Sequence, residues 1–187
     1  MLVTLIIIAV VLLLVMWIIS VQRKFVSAEE IVKNAMSQIG VQQSSRWDAL
    51  TALVELIKSY NEHEYKTLKE VIAARAGITA NSTAAEAQAQ EELLEKALVQ
   101  VKAISEKYPE LKADAMYIKT MDSVNTYENQ VRMSRMVYND SVTKYNRLVR
   151  QIPESFVAAI FRFTEKEYLK ENTAKSDMPS LKILGPE

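Results

Sequence analysis

The chain opens on MLVTLIIIAVVLLLVMWIIS, twenty residues without a charge, in which Thr4 and Ser20 are the polar side chains. About 20 apolar residues are what a helix needs to cross a hydrocarbon core. A run with no polar face suits neither a surface helix nor a helix of a small soluble core. Residues 1–22 are therefore expected to be a transmembrane anchor. A cleaved secretory signal carries positive charge ahead of its apolar run and a small-residue cleavage site behind it. Here Arg23 and Lys24 come after the run, and WIISVQRK offers no such site. With the flanking positive charge on the C-terminal side, the positive-inside bias puts the N-terminus outside and everything beyond Arg23 in the cytoplasm.

The remainder of the chain is long enough for one domain. Three glycines and four prolines in 187 residues are too few for the turns of a β-rich fold, which makes the expected class all-α. Lys plus Arg equals Asp plus Glu at 23 each, interspersed along the chain, so no basic patch calls for nucleic acid. The absence of cysteine rules out disulfides and thiolate metal sites.

Ser27-x-x-Glu30 has the form of a capping box and predicts a helix start just after the membrane exit. The apolar positions Ile39, Leu50, Leu53, Ile57, Tyr60, Leu68 and Val71 then step at helical spacing towards Gly77, expected as the residue that ends the segment. The polar VQQSSRWD predicts a break or kink near residues 43 to 48. GITANST reads as a loop, and Thr83-x-x-Glu86 as the capping box of a helix that ends before Tyr108-Pro109. Pro109 suits a first helical turn, and the next helix is expected to run from there to Pro153. Tyr117, Met121, Val124, Glu128, Val131, Arg135, Tyr138, Val142, Tyr145, Val149 and Ile152 alternate in steps of four and three along it, a seam of heptad period. The bundle domain is drawn over residues 23–152. Residues 153–187 comprise an apolar segment, FVAAIFRF, expected to pack on the bundle, and a loose tail from Glu171.

Two Tyr-Asn pairs, Tyr138-Asn139 and Tyr145-Asn146, lie one heptad apart, and Tyr60-Asn61 is a third. The tyrosines belong to the seam. Asn139 and Asn146 share the neighbouring column with Asn125 and Arg132, where side chains reach a partner helix or its loop. The pairs are thus a packing repeat first, with room for a specificity role. Glu128 and Arg135 on this seam, and Glu64 and Arg75 on the earlier one, are expected to pair across the bundle, because an unpaired buried charge costs several kcal/mol.

Little here resembles catalytic machinery. The glycines at 40, 77 and 185 cannot form a phosphate loop, and the single histidine, His63, has Thr67 where a zincin motif needs a second His. No enzyme activity, cofactor or metal is expected. The rival reading is a metal-dependent sensor or enzyme that uses the seam carboxylates Glu64 and Glu128 with His63.

In combination, RWDALTALVELIKSYNEHEYKTLKEVIAARA, YPELKA, YENQVRMSRMVYNDSVTKYN and IPESFVAAIFRF, behind one N-terminal membrane helix, resemble the LemA family over nearly the whole chain. The shared motifs fall on Arg46, Asp48, Tyr108 to Ala113, Glu128, Asn129 and the double Tyr-Asn. Where the family usually has Leu-Ile-Pro-Asn, this chain has Ala49, Leu50, Thr51 and Ala52. The resemblance implies an antiparallel four-helix bundle of long helices on a membrane anchor with its N-terminus outside, and no known catalytic activity. The expected protein is a self-associating scaffold of the bacterial inner membrane, in membrane organisation or remodelling, with any protein partner unidentified. Candidates for interaction or bundle specificity are Arg46, Asp48, Glu64, Arg75, Glu128, Arg132, Arg135, Tyr138, Asn139, Tyr145 and Asn146.

Overall fold

A single helix, α1, runs from Leu2 to Lys58 without interruption. At 1.5 Å per residue it is about 85 Å long. The structure, a computed structural model, describes residues 1–170; the tail from Glu171 lies outside the described residues. The expected helix start at Ser27 and the break near 43 to 48 are both absent. No proline interrupts α1, so nothing frees the Ser27 N–H to need a cap. The hydroxyls of Ser45 and Thr51 turn back onto the carbonyls of Val41 and Trp47, at 3.3 and 2.8 Å, and leave the helix intact. The Ala49–Ala52 stretch, which holds no proline, agrees with that continuity.

The chain turns instead at Ser59-Tyr60. Asn61 then caps α2 (Glu62–Ala73), accepting from the His63 and Glu64 N–H groups at 2.8 and 3.1 Å. Gly77 ends nothing: α2 stops at Ala73, and among the described residues no glycine has a positive φ. The Thr83–Glu86 capping box is formed and opens α3 (Ala84–Lys107). Pro109 does begin a helix, but α4 (Pro109–Ala113) lasts five residues. Asp114 then caps α5 (Ala115–Arg150) through the N–H groups of Met116 and Tyr117. The Asp signal, one residue outside a continuous apolar rhythm, is what periodicity alone overlooks. Ile152, beyond the end of α5, is exposed. A last short helix, α6 (Glu154–Phe161), completes the described elements.

The fold is all-α among the described residues, a long apolar helix packed against the helices of a bundle. Helices α1 and α5 run antiparallel along most of their length: Arg46 meets Glu128, while Phe25 meets Tyr145. At the far end α2 and α3 complete four helices around Trp47, Leu50, Ile57, Leu68, Leu94, Val101, Leu111 and Val124. At the end next to the apolar stretch of α1 the bundle thins. There α1 and α5 are joined by α6 and by the non-helical residues 163–170 around Val21, Phe25, Met36, Ile39, Val142, Tyr145, Val157 and Leu169. The apolar segment 156–163 therefore packs on the bundle through part of its surface.

Residues 2–20 of α1 stay outside both cores, with Ile18 touching the second at its edge. This apolar stretch makes α1 long and apolar enough to cross a membrane. The change of surroundings comes at Val21, buried in the second core, within one uninterrupted helix.

Gly40 is buried on α1 where the 74–83 connection crosses it, and a Cβ there would collide with the Ile78 carbonyl. Gly40→Ala improves helix propensity by about 1 kcal/mol, yet the backbone clash belongs to overpacking that costs about 1–3 kcal/mol. The expected outcome is a lower denaturation midpoint than wild type, measured by chemical unfolding in detergent; an unchanged or higher midpoint would show that the connection moves away freely.

Candidate functional site: a buried charged layer and an asparagine clamp

Between the two apolar cores lies a polar layer. The side chain of Arg46, 1% exposed, donates from Nη1 to Glu91 of α3 and from Nη2 to Glu128 of α5, the latter at 3.2 Å. Gln43, one turn earlier on α1, donates to the other Glu91 oxygen at 3.3 Å. One guanidinium thus ties three helices at one level, and its planar fork suits two carboxylates as an ammonium would not. The polar run expected to kink α1 is this layer: Gln43 and Arg46 continue the buried spacing from Ile39 to Leu50.

Glu91 is absent from the candidates that the sequence suggests. A signal is there, since Ala84, Ala87, Glu91, Leu94, Leu98, Val101 and Ser105 alternate by three and four and are all buried. Extending the Leu94–Val101 rhythm towards the N-terminus finds it.

Of the other candidate charges, Arg132 touches this layer at its edge and the rest stand apart from it. Arg75 reaches from beyond α2 to Asp48 at 2.7 Å and to the Ser44 hydroxyl at 2.6 Å. Glu64 pairs with Lys107 at 3.2 Å, which ties α2 to the end of α3. Arg132 forms an intrahelical pair with Glu128 at 3.4 Å and, like Asn125, is exposed. Arg135 donates to Gln88 at 2.9 Å and to the Lys170 carbonyl. His63 is exposed at the start of α2. Glu64 and Glu128 serve different helix pairs, and among the described residues no group of three or more His, Asp or Glu side chains is arranged to hold a metal ion.

The double Tyr-Asn has a definite task. Asn146 donates to the Lys166 carbonyl and accepts from the Lys166 N–H, at 2.9 and 2.8 Å. Asn139 does the same to Leu169, at 2.9 Å in both directions. The Tyr138 hydroxyl donates to the Glu167 carbonyl between them at 3.1 Å. Each carboxamide satisfies both polar groups of one residue, so the segment is held by its backbone, much as a strand partner would hold it. One heptad of helix rises roughly 10.5 Å, and three nearly extended residues cover about 10 Å. The heptad repeat of the asparagines and the three-residue step from Lys166 to Leu169 therefore match.

Leu169 is buried beneath this clamp, while Phe163 stacks on Phe25 with centroids 4.7 Å apart. Burial raises the pKa of both Tyr138 and Tyr145, and Tyr138 serves as a neutral donor. Tyr60-Asn61 does separate work at the far end. Tyr60 donates to Asp114, and Asn61 donates to the Tyr108 hydroxyl, joining the α1–α2 turn to the α3–α5 turn.

Removing Arg46 would leave the buried Glu91 carboxylate without its cation and break the link from α1 to Glu128. Arg46→Ala is expected to destabilise the chain by about 3–5 kcal/mol in chemical denaturation, whereas Arg46→Met combined with Gln43→Leu, Glu91→Leu and Glu128→Leu, which also removes the amide that bonds Glu91, returns close to wild type. A loss under about 1 kcal/mol for the single change would mean that water reaches the layer.

Lys166 also bonds Glu29 of α1 at 2.8 Å, and this contact holds the Glu29 carboxyl below its ordinary value of 4.5. A depressed carboxylate contributes stability that is complete above the unfolded pKa and lost as pH falls through the folded one. The difference in thermal midpoint between wild type and Glu29→Gln should be constant above about pH 5 and close as the solution is acidified further. A difference independent of pH would show that the ion pair contributes nothing.

The LemA family model matches residues 35–183, from the middle of α1 through the charged layer and the clamp into the tail. No curated protein matches the chain. The match spans most of the sequence and includes every residue of both arrangements except Glu29 and Phe25, and on that footing the chain belongs to the LemA family.

Proposed function

We propose that the protein is a membrane-anchored scaffold of the bacterial inner membrane, with α1 crossing once, the N-terminus outside and the bundle on the cytoplasmic face. Copies associate laterally, in service of membrane organisation. Orientation is supported by Arg23 and Lys24, exposed directly behind the apolar run.

The observation that carries self-association is an apolar surface on α5. Met133, Met136 and Val137 are 68%, 63% and 49% exposed, on the side turned away from the buried seam of Val131 and Tyr138. Unbranched methionines adapt to an irregular partner surface. Anchoring in a plane raises the effective concentration of neighbours, so a small contact suffices. If that contact joins unlike surfaces, the assembly grows into rings or open arrays according to the rotation between copies.

Light scattering coupled to size-exclusion chromatography, with detergent mass subtracted, is expected to give wild-type particles larger than a dimer. Met133→Lys combined with Val137→Lys should reduce them to monomer or dimer without changing helicity. A monomeric wild-type protein would overturn the scaffold reading.

A further inference from the structure

The short helix α6 presents two apolar sides. Val157 and Ala158 are buried against α1 and α5. Phe156, Ile160 and Phe161 point away, 64%, 68% and 47% exposed, and Ile152 beside them is 74% exposed. Nothing among the described residues covers this second side, and its location says what does. Val157 and Ala158 share one cluster with Val21 and Phe25, which Ile18 joins from the edge. From Leu2 to Val21 the helix rises about 29 Å, close to the roughly 30 Å of a hydrocarbon core. Helix α6 therefore sits where α1 leaves the lipid. Arg23, Lys24, Arg147, Arg150 and Arg162 are exposed at the same end of the molecule, Arg150 in an ion pair with Glu165 at 3.8 Å. Aromatic and aliphatic side chains ringed by arginine and lysine are the composition that lies in the boundary between acyl chains and headgroups.

We infer that α6 is a second membrane contact, its Phe156–Ile160–Phe161 side inserted into the interfacial layer of the leaflet from which α1 emerges. The ligand is the bilayer itself. Phe161 and Phe163 continue from that layer into the Phe25 stack, with centroids of Phe161 and Phe163 6.4 Å apart, so the lipid-facing side and the clamped segment are neighbours. The inference rests on α1 spanning the membrane and goes beyond it.

Because the chain contains no cysteine, single nitroxide labels can be placed at Ile160→Cys, at Leu12→Cys in the anchor and at Glu70→Cys on the exposed side of α2, in the full chain reconstituted into phosphatidylglycerol-containing vesicles. The label at Ile160 is expected to collide more with dissolved oxygen than with a polar nickel chelate, as at Leu12 and opposite to Glu70. If the Ile160 label is as open to the chelate as Glu70 while Leu12 remains in lipid, α6 stands off the membrane and the inference fails alone. If Ile160 is shielded from both relaxers, protein covers the patch and the inference fails as well. If the Leu12 label is itself open to the chelate, the anchor reading fails and takes this one with it.

Discussion

The guanidinium of Arg46 is the point on which the rest of the bundle is indexed. Apolar seams tolerate sliding, since leucine against leucine is favourable at several offsets. A buried cation is not tolerant: it must face Glu91 and Glu128 together, and a shift of one turn would strand charges in a medium that penalises them by several kcal/mol each. A charged layer between two apolar cores thus fixes the relative heights of α1, α3 and α5, much as a single polar residue sets register in a coiled coil. It contributes less to net stability than to choosing one packing among many.

The class of fold and the long seam of α5 are legible in the sequence because periodicity survives wherever a helix buries one face. Tyr117, Val124, Val131, Tyr138, Val142 and Tyr145 are buried as their spacing requires. Helix boundaries are less legible. Ser27 and Glu30 have the letters of a cap, but a cap exists only where a helix begins, and the apolar run upstream already supplies helix. The polar residues around Arg46 look like a gap because their partners lie 45 and 82 positions away. Side-chain polarity alone does not distinguish a loop from a paired charge in a core. The role of Asn139 and Asn146 is half legible. Their column is evident, whereas the segment they grip has no periodicity of its own, being held by its main chain.

That way of holding a chain has a physical logic. A segment leaving a helix bundle without helix or sheet carries N–H and C=O groups that must find partners when its side chains are buried. Two carboxamides at heptad spacing supply such partners at the right interval, which lets Leu169 and Phe163 enter the core without an added strand. Lys166 and Glu29 add a charge contact to the same segment. The end of the bundle next to the apolar stretch of α1 is thereby closed by a narrow strip of chain rather than by a fourth helix.

Helix α1 belongs to both the apolar span and the distal core without a hinge. A rod of this kind is a lever. Beyond its apolar stretch it extends about 55 Å, so, with that stretch in a bilayer as proposed, a tilt change of roughly 10°, well inside the range transmembrane helices adopt, sweeps its far end through about 10 Å. The charged layer and the α1·α5 seam carry the other helices along with it. On the proposed anchoring, bilayer thickness and the direction in which the distal turns of the bundle point become mechanically one variable.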